Sequence, residues 1–328
     1  LNNAISVTNL RKTYVSTKKA PGVAGAVRAL FTRERTEVAA VKNISFTIPE
    51  GQLVGFLGPN GAGKTTTLKM LSGVLFPTSG SASVLGYTPW ERKNEYLKQI
   101  SLVMGQKNQL WWDLPAIDSF LLLKEIYEVP DKEYKQRIDE LCTLLEITAL
   151  LNTQVRKLSL GERMKCELVA ALFYNPRVVF LDEPTIGLDV VSQKKVREFL
   201  KRYQPETGST IILTSHYMQD IQDLCERVII IDHGEMIFDD PLSVLVQRYS
   251  DVKRLSLVFN EPVAKEDIAF YGTVVEYSDL RAVLETSRAQ VTAAASQILA
   301  KLPVVDIAIE DVEAEEIIRQ IFTRRQTA

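Results

Sequence analysis

Apolar and polar residues alternate at two places near the start of the chain. Ile5-Ser6-Val7-Thr8-Asn9-Leu10 and Ile44-Ser45-Phe46-Thr47-Ile48 carry the period of two that buries one face of a strand. Nearly unbroken apolar runs follow at 53–57, 178–181, 210–213 and 228–231. Runs of this kind read as strands buried on both faces, as in a parallel sheet covered by helices. Helical stretches separate them, which predicts an α/β core. Between 108 and 152 the period lengthens. Residues 119–127 and 131–151 have helical spacing, with Pro115 and Pro130 as breaks. This predicts a helical subdomain inserted in the core, spanning about 108–165.

Two further segments stand apart. Residues 16–37 interrupt the first strand pair, and within them Val23, Val27, Leu30 and Phe31 fall on one helical face beside Arg28, Arg33 and Arg35. The tail from 249 to 328 reads as strand 254–259, helix 264–271, strands 274–277 and 282–286, helix 289–302, strand 305–309 and a last helix 313–322. That order, βαββαβ plus a helix, predicts a small α+β domain of ferredoxin-like plan. The domain boundary is expected at 248/249.

Chemistry enters where the first apolar run ends. Gly58-Pro59-Asn60-Gly61-Ala62-Gly63-Lys64-Thr65-Thr66 fits G-x-x-x-x-G-K-[ST] between a buried strand and a helical run. Glycines let backbone N–H groups turn inward around phosphate oxygens, and the helix points its positive end at them. Lys64 is expected to reach the β- and γ-phosphates of ATP and Thr65 to hold Mg²⁺. The run 178–181 ends on Asp182-Glu183. Two acids closing an apolar strand are costly to place without a role. Asp182 suits the metal shell, and Glu183 stands where a general base could polarise an attacking water.

With both elements in place, the chain resembles the nucleotide-binding subunit of ABC transporters over roughly residues 4–248. The resemblance implies a P-loop NTPase fold of ABC type with an inserted helical subdomain, and ATP hydrolysis with Mg²⁺. Leu158-Ser159-Leu160-Gly161-Glu162 is similar to the family signature LSGGQ, with Leu160 for a glycine and Glu162 for the glutamine. In the family that loop contacts the γ-phosphate of ATP held by the opposite subunit, which assigns Ser159 and Gly161 to nucleotide binding. By the same resemblance Gln106 is the Q-loop glutamine that senses metal and attacking water, and His216 the switch histidine at the γ-phosphate. Asp189 belongs to the loop that crosses the subunit interface, and Tyr14 to the aromatic that stacks on adenine. His233, in Asp232-His233-Gly234, reads as a turn residue.

The resemblance implies partners as well: a second ABC ATPase subunit, identical or paralogous, and a polytopic membrane permease, at the cytoplasmic face of the membrane. Gly105-Gln106-Lys107-Asn108-Gln109-Leu110-Trp111-Trp112-Asp113-Leu114-Pro115 is similar to the subgroup serving ABC-2-type exporters. Trp111 and Trp112 read either as anchors for the permease or as core contacts of the helical subdomain. The 21–33 segment reads either as a helix near the membrane surface or as a cover for the sheet edge. Three functions stay open: an exporter's energising subunit, an importer ATPase with a regulatory tail, or a soluble ABC ATPase acting on ribosomes or DNA. Of the third class, ribosomal members usually carry two ATP cassettes in one chain and DNA-repair members long coiled coils, and neither pattern occurs here.

Composition changes this picture little. The 328 residues have a formal net charge of −2, so bulk charge favours neither nucleic acid nor an anionic membrane, and no nucleic-acid partner is expected. Cys142, Cys166 and Cys225 are odd in number and without CxxC spacing, which fits a reducing compartment. With two histidines, a multi-histidine metal centre is not expected. No run approaches the roughly 18 apolar residues of a membrane-spanning helix. The start lacks the charged-then-apolar order of a signal peptide and opens on Leu1, as a processed or trimmed end would.

Overall fold

The computed structural model describes residues 2–17, 35–105, 108–248, 252–312, 315–318 and 322. It divides into two compact units, Leu1–Asp240 and Pro241–Ala328. The division falls at the end of a strand instead of at 248, so the helix Leu242–Arg248 belongs to the second unit.

In the first unit β1 (Asn3–Thr17), β2 (Arg35–Pro49) and β4 (Ser79–Val84) form an antiparallel sheet in the order β2-β1-β4. Alternation alone would turn Leu10 outward, because Ile5 and Val7 are odd and Leu10 even. Instead the register shifts between Val7 and Leu10, where Asn9 takes φ 49; a second shift, between Leu10 and Lys12, falls opposite Asn43, which takes φ 51. The irregularity resets the pleat. Ile5, Val7 and Leu10 are therefore all buried, as are Val41, Ile44, Phe46 and Ile48. The pairing continues outward to Tyr14↔Val38 and Thr17↔Arg35, so the ends of the 16–37 segment are strand. The amphipathic stretch 21–33 lies outside the described residues.

The second sheet has the order β5-β6-β7-β3-β8-β9. Its strands are β3 (Leu53–Leu57), β5 (Ile100–Met104), β6 (Val178–Asp182), β7 (Thr210–Thr214), β8 (Arg227–Asp232) and β9 (Glu235–Pro241). Neighbours from β5 through β8 pair in parallel. Every residue of β3, β6 and β7 is buried, which is why those runs carry no alternation. The faces of the two sheets share one core with α1 (Lys64–Leu71), in which Phe46, Phe56, Leu68 and Phe180 meet. A short helix, α2 (Asn94–Leu97), precedes β5.

The inserted helices are α3 (Ala116–Tyr127) and α4 (Asp131–Leu144). Pro115 and Pro130 stand at their N-caps, where a missing N–H costs nothing. The second helix is shorter than the spacing to 151 predicts. Glu146 takes φ 55, which ends the α-helix, and a separate 3₁₀ turn covers Thr148–Leu150. Next come α5 (Leu160–Leu172), α6 (Val190–Thr207) and α7 (Met218–Leu224).

The second unit opens with α8 (Leu242–Arg248) and continues as β10 (Val252–Phe259), α9 (Lys265–Ala269), β11 (Thr273–Ser278), β12 (Arg281–Ser287), α10 (Val291–Lys301) and β13 (Val304–Asp311). The sheet order β11-β12-β10-β13 is antiparallel throughout, the split βαβ arrangement of the ferredoxin-like plan. Leu255, Leu257, Phe259, Leu284 and Ile298 form its core. Of the last predicted helix, residues 315–318 are helical, with Ile317 and Ile318 buried.

Candidate active site

Parallel strands deliver their carboxyl ends to one edge of a sheet, where ligands of α/β proteins sit. Here β3 runs into Gly58, β6 into Asp182-Glu183 and β7 into Thr214-Ser215-His216, and β7 lies between the other two. The phosphate loop is shaped by its surroundings as much as by glycine's freedom. A Cβ on Gly58 would lie 2.3 Å from the Ile231 carbonyl oxygen. Gly63 has φ +107, and a Cβ there would lie 2.4 Å from the Ala40 carbonyl oxygen. Gly61, at φ +81, has open space around it. Ala62 is buried and its carbonyl accepts from the Gly234 N–H, while Pro59, Asn60 and Thr66 complete the turn and first helical residues. His233 and Gly234 form the turn between β8 and β9.

Lys64 is buried, and its ammonium donates to the Gly58 carbonyl at 2.6 Å and the Pro59 carbonyl at 3.2 Å. Burial lowers its pKa, while the charges of Glu183 and Asp182 oppose that shift. Asp182 is 7% exposed, and both its oxygens are held. Thr65 Oγ1 donates to Oδ2 at 2.7 Å and Thr214 Oγ1 to Oδ1 at 2.8 Å. The β6–β7 register, which sets Asp182 opposite Thr214, fixes the second contact.

Glu183 leaves the strand with φ 56, a strained backbone for a residue with a side chain. Its N–H donates to Thr214 O at 3.1 Å and Oγ1 at 3.0 Å. His216 Nε2 lies 2.8 Å from its Oε1. A carboxylate that keeps 16% of its side chain open to solvent and is steadied by an imidazole is suited to taking a proton from water. Gln106 lies outside the described residues. Its neighbour Gly105 donates its N–H to the Asp182 carbonyl at 2.8 Å.

Ser159, Gly161 and Asp189 gather elsewhere in the unit. Ser159 caps α5: its Oγ accepts the Glu162 N–H, and the Glu162 carboxylate accepts the Ser159 N–H at 2.8 Å. Glu162, where the resemblance expects glutamine, thus completes a capping box, and these bonds lower its pKa. Asp189 caps α6 through the Ser192 N–H, and a Cβ on Gly161 would lie 2.5 Å from Ser192 Oγ. No hydrogen bond or ion pair among the described residues joins this cluster to Lys64, Asp182 or Glu183. Tyr14 is exposed on β1, with the Lys12 ammonium 5.4 Å from its ring centroid.

Trp111 and Trp112 are 41% and 47% exposed, so they are not core contacts. The Arg163 guanidinium stands 5.4 Å from the Trp112 ring centroid, and Glu167, one turn along α5, accepts the Gln109 N–H at 3.0 Å and the Leu110 N–H at 3.3 Å. Beyond Gln109 a groove of about 440 Å³ runs between the sheet core and the inserted helices, lined by Val74, Leu102, Ile126, Tyr127 and Tyr174 among others. Thr214, Gly105 and Glu167 escape sequence reasoning. Each acts through a partner distant in the chain, and only strand register or helix packing reveals it.

Could Mg²⁺ fit? Among the described residues no group of three or more acids, histidines and cysteines is placed to bind a metal. One hydroxyl and one carboxylate, Thr65 and Asp182, face each other beside the phosphate loop. That hard, incomplete oxygen set suits an ion that keeps waters and shares substrate phosphates.

Residues 41–186 match the family described as ABC transporter, and residues 251–310 match the EvrA-like ABC transporter C-terminal domain. Over 66% of its length the chain is 34% identical to the ABC transporter ATP-binding protein NatA of Bacillus subtilis, covering 88% of that protein. It is 36% identical over 60% of its length to the linearmycin resistance ATP-binding protein LnrL of the same species, covering 63% of that protein. Among solved structures, the dimeric post-hydrolysis state of the ATP-binding cassette MJ0796, bound to ADP and Pi, superposes with a TM-score of 0.59 at 25% identity over 72% of this chain and 98% of that one. CbiO1 of Clostridium perfringens, part of the CbiONQ transporter complex, gives 0.61 at 24% identity over 76% and 92%. A relative this similar along nearly its whole length places the chain in the ABC transporter ATP-binding proteins, and hence among the ABC ATPases.

Proposed function

We propose that this chain is the energising subunit of an ABC-2-type exporter, working as an ATP-joined pair of ATPase subunits beneath a membrane permease. The observation that carries the pairing is the split of the site. Lys64, Asp182, Glu183 and His216 form one cluster and Ser159, Gly161 and Asp189 another, without a bond between them. ATP lying on the first cluster of one subunit would be completed by the second cluster of its partner. The dimeric MJ0796 relative is consistent with that arrangement. Hydrolysis then releases the pair, converting phosphate chemistry into motion.

Within each site the phosphate loop and Lys64 bind the phosphates, and Tyr14 stacks on adenine. Mg²⁺, held by Thr65 and Asp182 and sensed by Gln106, supplies charge neutralisation at the phosphates. Glu183 takes the proton of the attacking water, while His216 holds the carboxylate in line. Among the described residues no helix is long and apolar enough to cross a membrane. In this reading the permease is a separate partner and the chain sits at the membrane's cytoplasmic face. The exposed Trp111 and Trp112 offer that partner aromatic anchors, and the groove beside Tyr127 offers a mixed polar and apolar lining that includes Lys98 and Glu128. The relative named for linearmycin resistance favours outward transport.

Glu183→Gln tests this reading. ATP binding should persist, turnover should fall at least ~10²-fold, and gel filtration with ATP should show a dimer. Hydrolysis at the wild-type rate would remove Glu183 as the base. A monomer under saturating ATP would remove the pairing.

A further inference from the structure

We propose that Asp220 is a positioning residue that holds the two chain segments carrying Glu183 and His216 in register for hydrolysis. The inference rests on the reading of Glu183 as general base. Asp220 lies on α7 and is 1% exposed. Its Oδ2 accepts two hydroxyls, Thr185 Oγ1 at 2.5 Å and Ser215 Oγ at 2.6 Å. Its Oδ1 accepts Arg197 Nη1 from α6 at 3.0 Å. Arg197 also faces Asp223 across 3.0 Å, so the guanidinium is shared between two carboxylates.

The two hydroxyls identify what Asp220 joins. Thr185 is two residues beyond Glu183, and Ser215 immediately precedes His216. The Ser215 hydroxyl cannot swing freely, because its oxygen also accepts the Tyr217 N–H at 3.0 Å. Thr185 and Ser215 are themselves buried, at 2% and 7% exposure. One carboxylate oxygen therefore ties the chain just after the base to the chain just before the histidine.

A brace is needed there for a physical reason. Glu183 has φ 56, a conformation that persists only where neighbours over-determine it. On its strand side it is held by Thr214. On its far side the Ile186 N–H donates to Glu183 O and the Leu188 N–H to Thr185 O, a turn that Thr185 anchors to Asp220. Loss of that anchor lets the Glu183 carboxylate and the His216 ring drift from their 2.8 Å contact. Misplacement on the order of 1 Å can cost ~10²-fold in rate. Lys64 and the phosphate loop do not touch the brace, so nucleotide binding should be spared.

Thr185→Val tests the inference, because it removes one hydroxyl and leaves Asp220 bonded to Ser215 and Arg197. Purified full-length chain should show a kcat lowered ~10- to 100-fold with the KM for ATP essentially unchanged. Thr185→Ser, which restores the hydroxyl, should recover most of the lost rate. In a Glu183→Gln background Thr185→Val should slow the residual reaction no further, since the brace acts through the base. Wild-type kcat in Thr185→Val, or a loss that Thr185→Ser does not repair, would overturn the brace. If Glu183→Gln itself hydrolysed ATP normally, the base reading beneath it would fall instead. Glu183→Gln inert and Thr185→Val unimpaired would sink the brace alone.

Discussion

Gly105→Ala puts the geometry of the candidate base under direct strain. Gly105 follows β5 and has no left-handed backbone, so alanine meets no conformational penalty there. The obstacle is steric. A Cβ built on Gly105 would lie 2.2 Å from the carbonyl oxygen of Glu183. A comfortable carbon–oxygen approach is ~3.3 Å, so about 1 Å of movement must be found. The Gly105 N–H is tied to the Asp182 carbonyl at 2.8 Å, and Glu183 is tied to Thr214, so neither side yields easily. Overpacking of this kind costs ~1–3 kcal/mol of stability. For a unit of this size that is a fall in Tm of roughly 2–10 °C. Displacing the base by about 1 Å should cost ~10²-fold in kcat. The phosphate loop leaves β3, two strands away from β6, so nucleotide affinity should hold. Thermal melting, nucleotide binding and steady-state hydrolysis measured on one preparation separate these effects. Wild-type kcat with an unchanged Tm would refute the contact. Equal losses of ATP affinity and kcat would refute its confinement to Glu183.

Other changes probe the remaining parts of the site. Lys64→Ala should weaken ATP binding by ~10-fold or more, read by calorimetry, because a charge-assisted phosphate contact is worth about 1.5–3 kcal/mol. Unchanged affinity would take the lysine out of its assigned place. Thr214→Val keeps the shape of β7 but leaves Asp182 Oδ1 without its donor. A loss of ~1.5–3 kcal/mol in denaturant unfolding is expected, and a difference under ~0.5 kcal/mol would show that the hydroxyl is dispensable. Burial pushes the Glu167 carboxyl upward against the N–H groups of Gln109 and Leu110. With a raised folded pKa, the folded chain binds the proton more tightly. Glu167's contribution to stability therefore falls as pH climbs from its unfolded value of ~4.3 through the folded one. Glu167→Gln should remove that slope, so the variant gains on wild type across this interval; a constant difference would contradict the burial.

Some of this was legible from residues alone. A strand buried on both faces must be apolar at every position, so β3, β6 and β7 announce themselves without alternation. Pro115 and Pro130 mark helix starts because proline has no N–H to lose there. The phosphate loop and Asp182-Glu183 are local patterns, short enough for adjacent residues to specify. Even the ferredoxin-like order of the second unit follows from successive periods of two and 3.6.

Other features required the fold. The buried set of β1 includes Ile5, Val7 and Leu10, and only the irregularity at Asn9 puts Leu10 inside. The end of α4 depended on one residue, Glu146, adopting a left-handed backbone that helical spacing cannot foresee. Whether Trp111 and Trp112 are core or surface was undecidable from spacing, since an aromatic suits both, and their exposure answers it. Gly58 and Gly105 are glycines because distant carbonyl oxygens press on them, not because the chain turns there. The sequence by itself determined which residues carry charge, hydroxyl or backbone freedom. Which of them touch is decided by strand register and helix packing across separations of 30 to more than 100 residues, as Thr214 and Thr65 on Asp182 demonstrate.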